Sequence, residues 1–378
     1  MSSSIPQTQT ALQFTGATED HKFLKAVKDA KVPQPGPKEL LVKVKANAVN
    51  PTDWKHIAFG WGKPDVVPGS DAAGEVIAVG SEVEGFQVGD QVSSFKHGGY
   101  PVDPNGGLFQ EYILADPFLS INYGKKLVSD PADTVEAGPI STFEGASSVT
   151  LGLVTIGLAY HHNFKLSFDK SVQKDKKILI WGGATATGFL AIQVAKKVYG
   201  LTVLAVSSSR HHKLLQQVGA DYTFDYKDSD VIEQIKKVGG DDLVFAFDTV
   251  SEATTFNQAY QSLSSTKPAI LENLLFLTPD VIEKPRDNVT ITGSLAYLAR
   301  GEDQYLGGQT IPSSPELAAS HLIFWKEIQK YAVDGTIKHA PLKVLPNGLG
   351  SVEEAFYLLK NNKVSLEKLI IRTDETKF

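Results

Sequence analysis

The chain has 378 residues, room for about two domains, and its 42% hydrophobic and 21% charged residues suit a globular protein that needs no covalent staples. Lys and Arg number 37 against 43 Asp and Glu, a net charge of −6 that argues against broad nucleic-acid or anionic-membrane binding. Cysteine is absent, which removes disulfides, thiol nucleophiles, iron–sulfur clusters and every thiolate-zinc site.

Met1-Ser2-Ser3-Ser4-Ile5-Pro6 lacks the charged and apolar regions of a signal peptide. The apolar run Val149 to Tyr160 is too short and too glycine-broken to span a bilayer. The expectation is a soluble cytoplasmic protein, monomer or homodimer, acting on a small molecule and binding neither nucleic acid nor membrane.

Up to about residue 140 short strands alternate with turns. Leu40 to Ala46 follows three prolines and shows partial alternation, and Gly74 to Gly80 is a strand bounded by glycines. Gly85 to Val92 reads as turn then strand, and Gly98 to Gly107 as a turn-rich loop. The rhythm changes near residue 145. Ile178-Leu179-Ile180-Trp181 is a short buried strand, and glycines lead from it into a helix over Ala186 to Tyr199 that is apolar nearly all round. Gly200 supplies its stop. Strands follow at Thr202 to Val206, Tyr222 to Phe224 and Leu243 to Phe247, with helices between them, so a parallel sheet covered on both faces is predicted. The tail adds helices over Pro315 to Val333 and Ser351 to Lys360, then a strand at Lys368 to Ile371.

The strongest chemical signal is the strand Ile178 to Trp181 turning through Gly182-Gly183-Ala184-Thr185-Ala186-Thr187-Gly188 into a helix. Free N–H groups and the positive end of a helix dipole are what a pyrophosphate needs. The match to G-x-G-x-x-G is incomplete: Gly183 and Gly188 fit, while Thr185 takes the middle place, which keeps a pyrophosphate farther from the backbone. A tight turn without a ligand is the other reading of the motif alone. The next strand ends near residue 206, where such a fold meets the ribose, and there stands Ser207-Ser208-Ser209-Arg210, then His211-His212-Lys213. Hydroxyls and cations without a carboxylate suit a 2′-phosphate, so NADPH is expected over NADH; a solvated first helical turn is the bland alternative.

Together with the first half, these segments resemble the medium-chain dehydrogenase/reductase superfamily. Val49-Asn50-Pro51-Thr52-Asp53-Trp54-Lys55 is similar to its N-x-x-D segment, and Gly69-Ser70-Asp71-Ala72-Ala73-Gly74-Glu75-Val76 to its G-x-[DE]-x-x-G-x-V signature. Gly107 to Tyr112, Gly219-Ala220-Asp221 through Tyr226, and Glu367-Lys368-Leu369 follow in family order. The resemblance implies an α/β protein: a GroES-like β-rich catalytic domain over residues 1–145, a Rossmann domain with a doubly wound parallel sheet over 146–310, and a segment, 311–378, completing the first domain. Closest in character are zinc-independent quinone and enoyl reductases. The Gly-Gly-Ala-Thr-Ala-Thr loop resembles fungal stand-alone enoyl reductases that serve polyketide synthases, and Asn50 to His56 resembles uncharacterised or aldehyde-reducing yeast members. By position, the resemblance implies that Gly183, Thr185, Ala186 and Thr187 line the pyrophosphate, and that Ser208, Arg210 and Tyr226 hold the 2′-phosphate. It puts Asp248, Thr249 and Val250 on the adenosine side, and Thr155, Ser294, Leu295 and Lys368 against the nicotinamide half. Asn50 and Lys55 become candidates for the chemistry, although Lys55 stands where many quinone reductases carry Tyr.

No metal is expected. The zinc-branch ligand positions correspond to Asn50, Ser70 and Leu151, and a site built from His56 with Asp53, Asp71 or His97 is the weaker alternative. Asp53 and Asp71 read mainly as backbone-satisfying carboxylates, and Trp54, Phe59, Trp61 and Tyr100 as pocket lining or core. The expected activity is NADPH-dependent, zinc-independent hydride transfer to an α,β-unsaturated carbonyl. Aldehyde reduction, NADPH binding with little turnover, and service in trans to a synthase stand as alternatives.

Overall fold

The computed structural model describes residues 5–378. Two sheets organise it. The first runs in the order Ser120–Asn122, Gln91–Phe95, Asp71–Val79, Leu40–Ala48, Lys368–Arg372, Leu342–Leu345, Thr134–Val135, and Tyr112–Ala115 pairs with Leu40–Ala48 as well. The last strand lies antiparallel to Leu40–Ala48, with Ile370 opposite Ala48 and Arg372 opposite Ala46. The end of the chain therefore closes the sheet begun near its start and brings Lys368 beside the residues that follow Ala48.

The second sheet has six strands in the order Tyr222–Asp225, Thr202–Ser207, Lys177–Trp181, Leu243–Asp248, Ala269–Asn273, Val289–Gly293. All neighbours are parallel. The chain order reverses between Lys177–Trp181 and Leu243–Asp248, which is the switch point of a doubly wound sheet and opens a crevice at the strands' carboxyl ends. Ile178, Leu179, Ile180, Leu204 and Phe247 are fully buried, each contributing about 1.5–3 kcal/mol of apolar burial.

The helix expected over Ala186 to Tyr199 forms as Ala186–Gln193 continued by a π-helical turn, Val194–Val198, and Gly200 at φ +74° ends it. Two sequence expectations are modified. The helical run through the Val149–Tyr160 stretch is longer than the apolar run suggests: Phe143–Asn163 covers 21 residues and has the length and composition of a membrane span. It is packed inside the protein, between the parallel sheet and the helix Pro315–Val333, with 89% of its most apolar window buried. That last helix, assigned to the segment completing the first domain, lies against the Phe143–Asn163 run, where Gly157 faces the Phe324 ring. It also reaches the first sheet through Trp325 Nε1, which donates to Ser120 O at 3.3 Å. The chain rejoins the first domain's strands at Lys338–His339, which pair with Gly138–Pro139.

Candidate active site and cofactor cleft

A cleft of about 740 Å³ opens between the two domains at the switch point. On one wall, Gly182 leaves strand Lys177–Trp181 at φ +78°, where a side chain is disfavoured and a Cβ would stand 2.6 Å from Thr249 Oγ1. A Cβ on Gly188 would lie 2.2 Å from Gly182 O, so the helix can start this close to the loop only with glycine there. Thr185, in the middle glycine's place, is the helix N-cap: its hydroxyl accepts from Gly188 N at 2.9 Å and meets Thr249 Oγ1 at 2.9 Å. Thr249 Oγ1 in turn lies 2.9 Å from Trp181 O and 3.0 Å from Gly182 O, which braces the loop from the adjacent strand. Gly182, Ala184, Thr185 and Ala186 face the cleft. Gly183 is buried and Thr187 half-buried, and neither lines the cleft. A glycine-bounded turn opening a helix beside a cleft of this size fits a dinucleotide pyrophosphate.

Farther out the same cleft is lined by Ser208, Arg210, His211 and Tyr226. The strand Thr202–Ser207 ends without a carboxylate. Asp225, which ends the neighbouring strand Tyr222–Asp225 opposite Ser207, accepts from the amides of Ser209 and Lys227, each at 3.0 Å, and these hold its pKa below the ordinary value. The opposite wall is the first domain's last segment, Val364 to Leu369.

At the inner end Lys368 lines the cleft yet is buried. Its Nζ donates to Asn50 Oδ1, and Asn50 Nδ2 donates to Asp71 Oδ2 at 2.9 Å. Asp71 Oδ1 accepts from Leu151 N at 2.8 Å. Asp53 accepts from Asn50 N at 2.7 Å and Ser70 Oγ at 2.8 Å. Burial dominates the titration here. It raises Asp53 to about 7 and Asp71 to about 6, and it lowers Lys368 from its ordinary value while the two carboxylates pull it back up. Asn50, Ser70 and Leu151 are thus tied to one another through the two carboxylates, and Asn50 alone also accepts from the Lys368 ammonium. Lys55, on helix Pro51–Ala58, is half-buried; burial lowers its pKa and the field of the cleft-lining Glu252 opposes that shift.

Other sequence candidates lie away from the cleft surface. Asp248 is buried and shapes its own loop, accepting from Val250 N, Ser251 N and Thr255 Oγ1 at 3.0, 3.0 and 2.7 Å. Thr155 donates to Leu151 O within its helix, Ser294 is buried near Asn163, and Leu295 packs on the core. The histidine pair does form, but without carboxylates: His56 Nε2 and His97 Nε2 face each other at 3.1 Å, and Tyr297 stacks on His97. Asp53 and Asp71 are engaged elsewhere, and among the described residues no group of three or more potential metal ligands is assembled. Of the aromatic candidates, Trp61 and Tyr100 adjoin this pair, Trp54 packs in the core and Phe59 is exposed. Sequence reasoning missed Glu252 and Ser365, which no motif marks.

Residues 36–121 match the family described as Alcohol dehydrogenase GroES-like domain, and residues 186–266 the family described as Zinc-binding dehydrogenase. An uncharacterised protein of Saccharomyces cerevisiae is 37% identical over 98% of this chain and 99% of its own. Trans-enoyl reductase resD of Aspergillus sclerotiorum is 34% identical over 88% of this chain and 92% of its own. The chain belongs to the medium-chain dehydrogenase/reductase superfamily. Among solved structures, CurK enoyl reductase superimposes with a TM-score of 0.73 at 18% identity, covering 97% of this chain and 99% of that one. The quinone oxidoreductase from Coxiella burnetii gives 0.67 at 22%, covering 96% and 99%. These two show the shared fold. As a member of this superfamily the protein is an oxidoreductase that binds a nicotinamide cofactor and acts on a small molecule.

Proposed function

We propose that the protein is an NADPH-dependent reductase that transfers hydride, without a catalytic metal, to a carbon–carbon double bond conjugated with a carbonyl. The observation that carries this reading is the buried link from Lys368 through Asn50 to Asp71. Asn50 and Ser70, at two of the positions that correspond to the zinc-branch ligands, are bonded instead to Lys368, Asp71 and Asp53. Alcohol oxidation in that branch draws on a Lewis acid to acidify the hydroxyl. An enone needs less: charge moves to the carbonyl oxygen and is held there by positioned donors.

NADPH bound in the cleft supplies the hydride to the β-carbon. Lys368, the cation at the cleft's inner end, supplies a positive field for the developing enolate oxygen, and Asn50 holds that ammonium in place, since both ends of its amide are engaged. Lys55, without a hydrogen-bond partner among the described residues, donates a hydrogen bond to the enolate oxygen and keeps its proton, and the single proton from water completes the α-carbon. Preference for NADPH rests on Arg210 and Ser208 in the cleft and on the absence of a carboxylate at the end of strand Thr202–Ser207. The similarity to resD, named a trans-enoyl reductase, supports the same substrate class.

The test is NADPH consumption with matched enals, enones, quinones, saturated aldehydes and alcohols, together with the Lys55→Ala variant. Enals or enones should turn over fastest, and Lys55→Ala should lower kcat by about 100-fold with NADPH affinity retained. Turnover confined to saturated aldehydes or alcohols would overturn the substrate class.

A further inference from the structure

We propose that Ser365 and His211 complete the 2′-phosphate site with Arg210, so that the last segment of the first domain closes on the phosphate of NADPH and ties the two domains together. The proposal rests on the NADPH reading above.

Three side chains from two domains converge at the outer end of the cleft. Arg210 Nη2 donates to Ser365 Oγ at 2.7 Å, and Arg210 Nε donates to His211 Nε2 at 3.0 Å. Ser365 Oγ lies 3.0 Å from the same His211 nitrogen. Arg210 and His211 belong to the helical turn Ser209–His211 of the Rossmann domain, whereas Ser365 lies between helix Val352–Lys360 and strand Lys368–Arg372. All three line the cleft.

Both side-chain partners of Arg210 are neutral, so the guanidinium meets an anion at full charge, and its planar set of donors suits a phosphate. Ser365 is aimed by backbone that few side chains adopt: Asn362 and Leu366, on either side of it, have φ of +52° and +53°. The segment carrying Ser365 at the outer end also carries Lys368 at the inner end. One stretch of the first domain thus spans the cofactor cleft, and a phosphate held by Arg210 and Ser365 fixes that stretch against the Rossmann domain.

His211 adds a proton to the binding event. Its Nε2 now accepts from Arg210 and faces the Ser365 hydroxyl; a phosphate dianion in that place requires an N–H instead. In the free protein, burial and the neighbouring Arg210 and His212 hold its pKa below the ordinary value. Across the cleft it faces Ser365, next to Glu367 in the lining, and on its own side it meets Arg210, with Asp225 held by Ser209 N of the same turn. The phosphate is then the strongest charge at contact, and it pulls the imidazole to its protonated form. NADPH binding takes up this proton and NADH binding does not.

The experiment titrates NADPH and NADH by protein fluorescence into the wild type, Ser365→Ala, His211→Gln and Arg210→Ala, from about pH 6 to about pH 8, where an imidazole titrates. Calorimetry of NADPH binding in two buffers of different ionisation enthalpy counts the protons. Ser365→Ala should weaken NADPH about tenfold. NADH binding should stay unchanged, which also shows that the variant folds. His211→Gln should abolish the proton uptake, leaving only the proton that the phosphate itself, titrating at about 6, releases as it binds. Unchanged or tighter NADPH binding by Ser365→Ala, or proton uptake surviving in His211→Gln, overturns the proposal. If Arg210→Ala removes the NADPH preference while the other two variants behave as wild type, this proposal falls and the NADPH reading stands. If Arg210→Ala leaves the preference intact, both fall.

Discussion

Lys368 and Asn50 are 318 residues apart in the chain and bonded side chain to side chain in the fold. The contact exists because the last strand pairs antiparallel with Leu40–Ala48, and it sets a buried ammonium at the inner end of the cofactor cleft. Asn50 passes the link on to Asp71, so the ammonium and a carboxylate stabilise each other out of water.

Removing the charge but keeping a hydrogen-bond donor isolates its role. Lys368→Gln should lower kcat for an enone by about 100-fold, because the field of the ammonium at the developing enolate oxygen is lost. Cofactor affinity measured by fluorescence should change only a few-fold. An unaltered kcat would remove Lys368 from the chemistry.

Asp53 makes stability depend on pH. Its pKa is about 7 in the fold against an ordinary 3.8, so the folded protein binds a proton that the unfolded chain releases. Asp53 therefore costs stability progressively as pH rises from 3.8 to about 7. Asp53→Asn keeps an acceptor for Asn50 N and a partner for Ser70 and removes this cost. Its stability relative to wild type should rise between about pH 5 and about pH 8 in urea titrations. Lys368 has the opposite shift but is present in both proteins and largely cancels. A relative stability that falls over that range would contradict the assignment.

Gly188→Ala sets a methyl group 2.2 Å from Gly182 O, a backbone atom that cannot swing aside. The loop must move, at a cost of about 1–3 kcal/mol. Because the pyrophosphate is common to both cofactors, NADPH and NADH should weaken alike, unlike the selective loss expected for Arg210→Ala. Selective loss of one cofactor would mean that the loop does not carry the pyrophosphate.

His321 is fully buried among Phe118, Phe324 and Trp325, and neither ring nitrogen has a partner among the described residues. Burial drives its pKa down to about 3. His321→Leu replaces two unsatisfied polar atoms with apolar surface and should stabilise the protein by about 1–3 kcal/mol. Urea unfolding with an unchanged slope measures it, and a loss of stability would show that the imidazole is satisfied.

The parallel sheet was readable because its strands are continuous apolar runs separated by helices, and Pro315–Val333 because Ser314 caps it and proline opens it. The hairpin Thr8–Phe14 with Leu24–Lys31 gave no signal, since its second strand is largely exposed and mixes Lys and Asp with apolar residues. The glycine loop and the Arg210 turn were legible from local spacing. Asn50 was legible only as a position in a motif; that its amide is held between Lys368 and Asp71 follows from long-range strand pairing, which local pattern does not encode. Ser365 was invisible for the same reason, because the tail loop that presents it packs across the cleft from Arg210.

The most direct test of metal-free hydride transfer to a conjugated double bond uses NADPH deuterated at the transferring position, an enal, and protein of known metal content treated with chelator. The account predicts activity without stoichiometric metal, a saturated aldehyde as product, and deuterium on the carbon β to the carbonyl. Deuterium on the carbonyl carbon of an allylic alcohol, or activity abolished by chelator and restored by zinc, would contradict it.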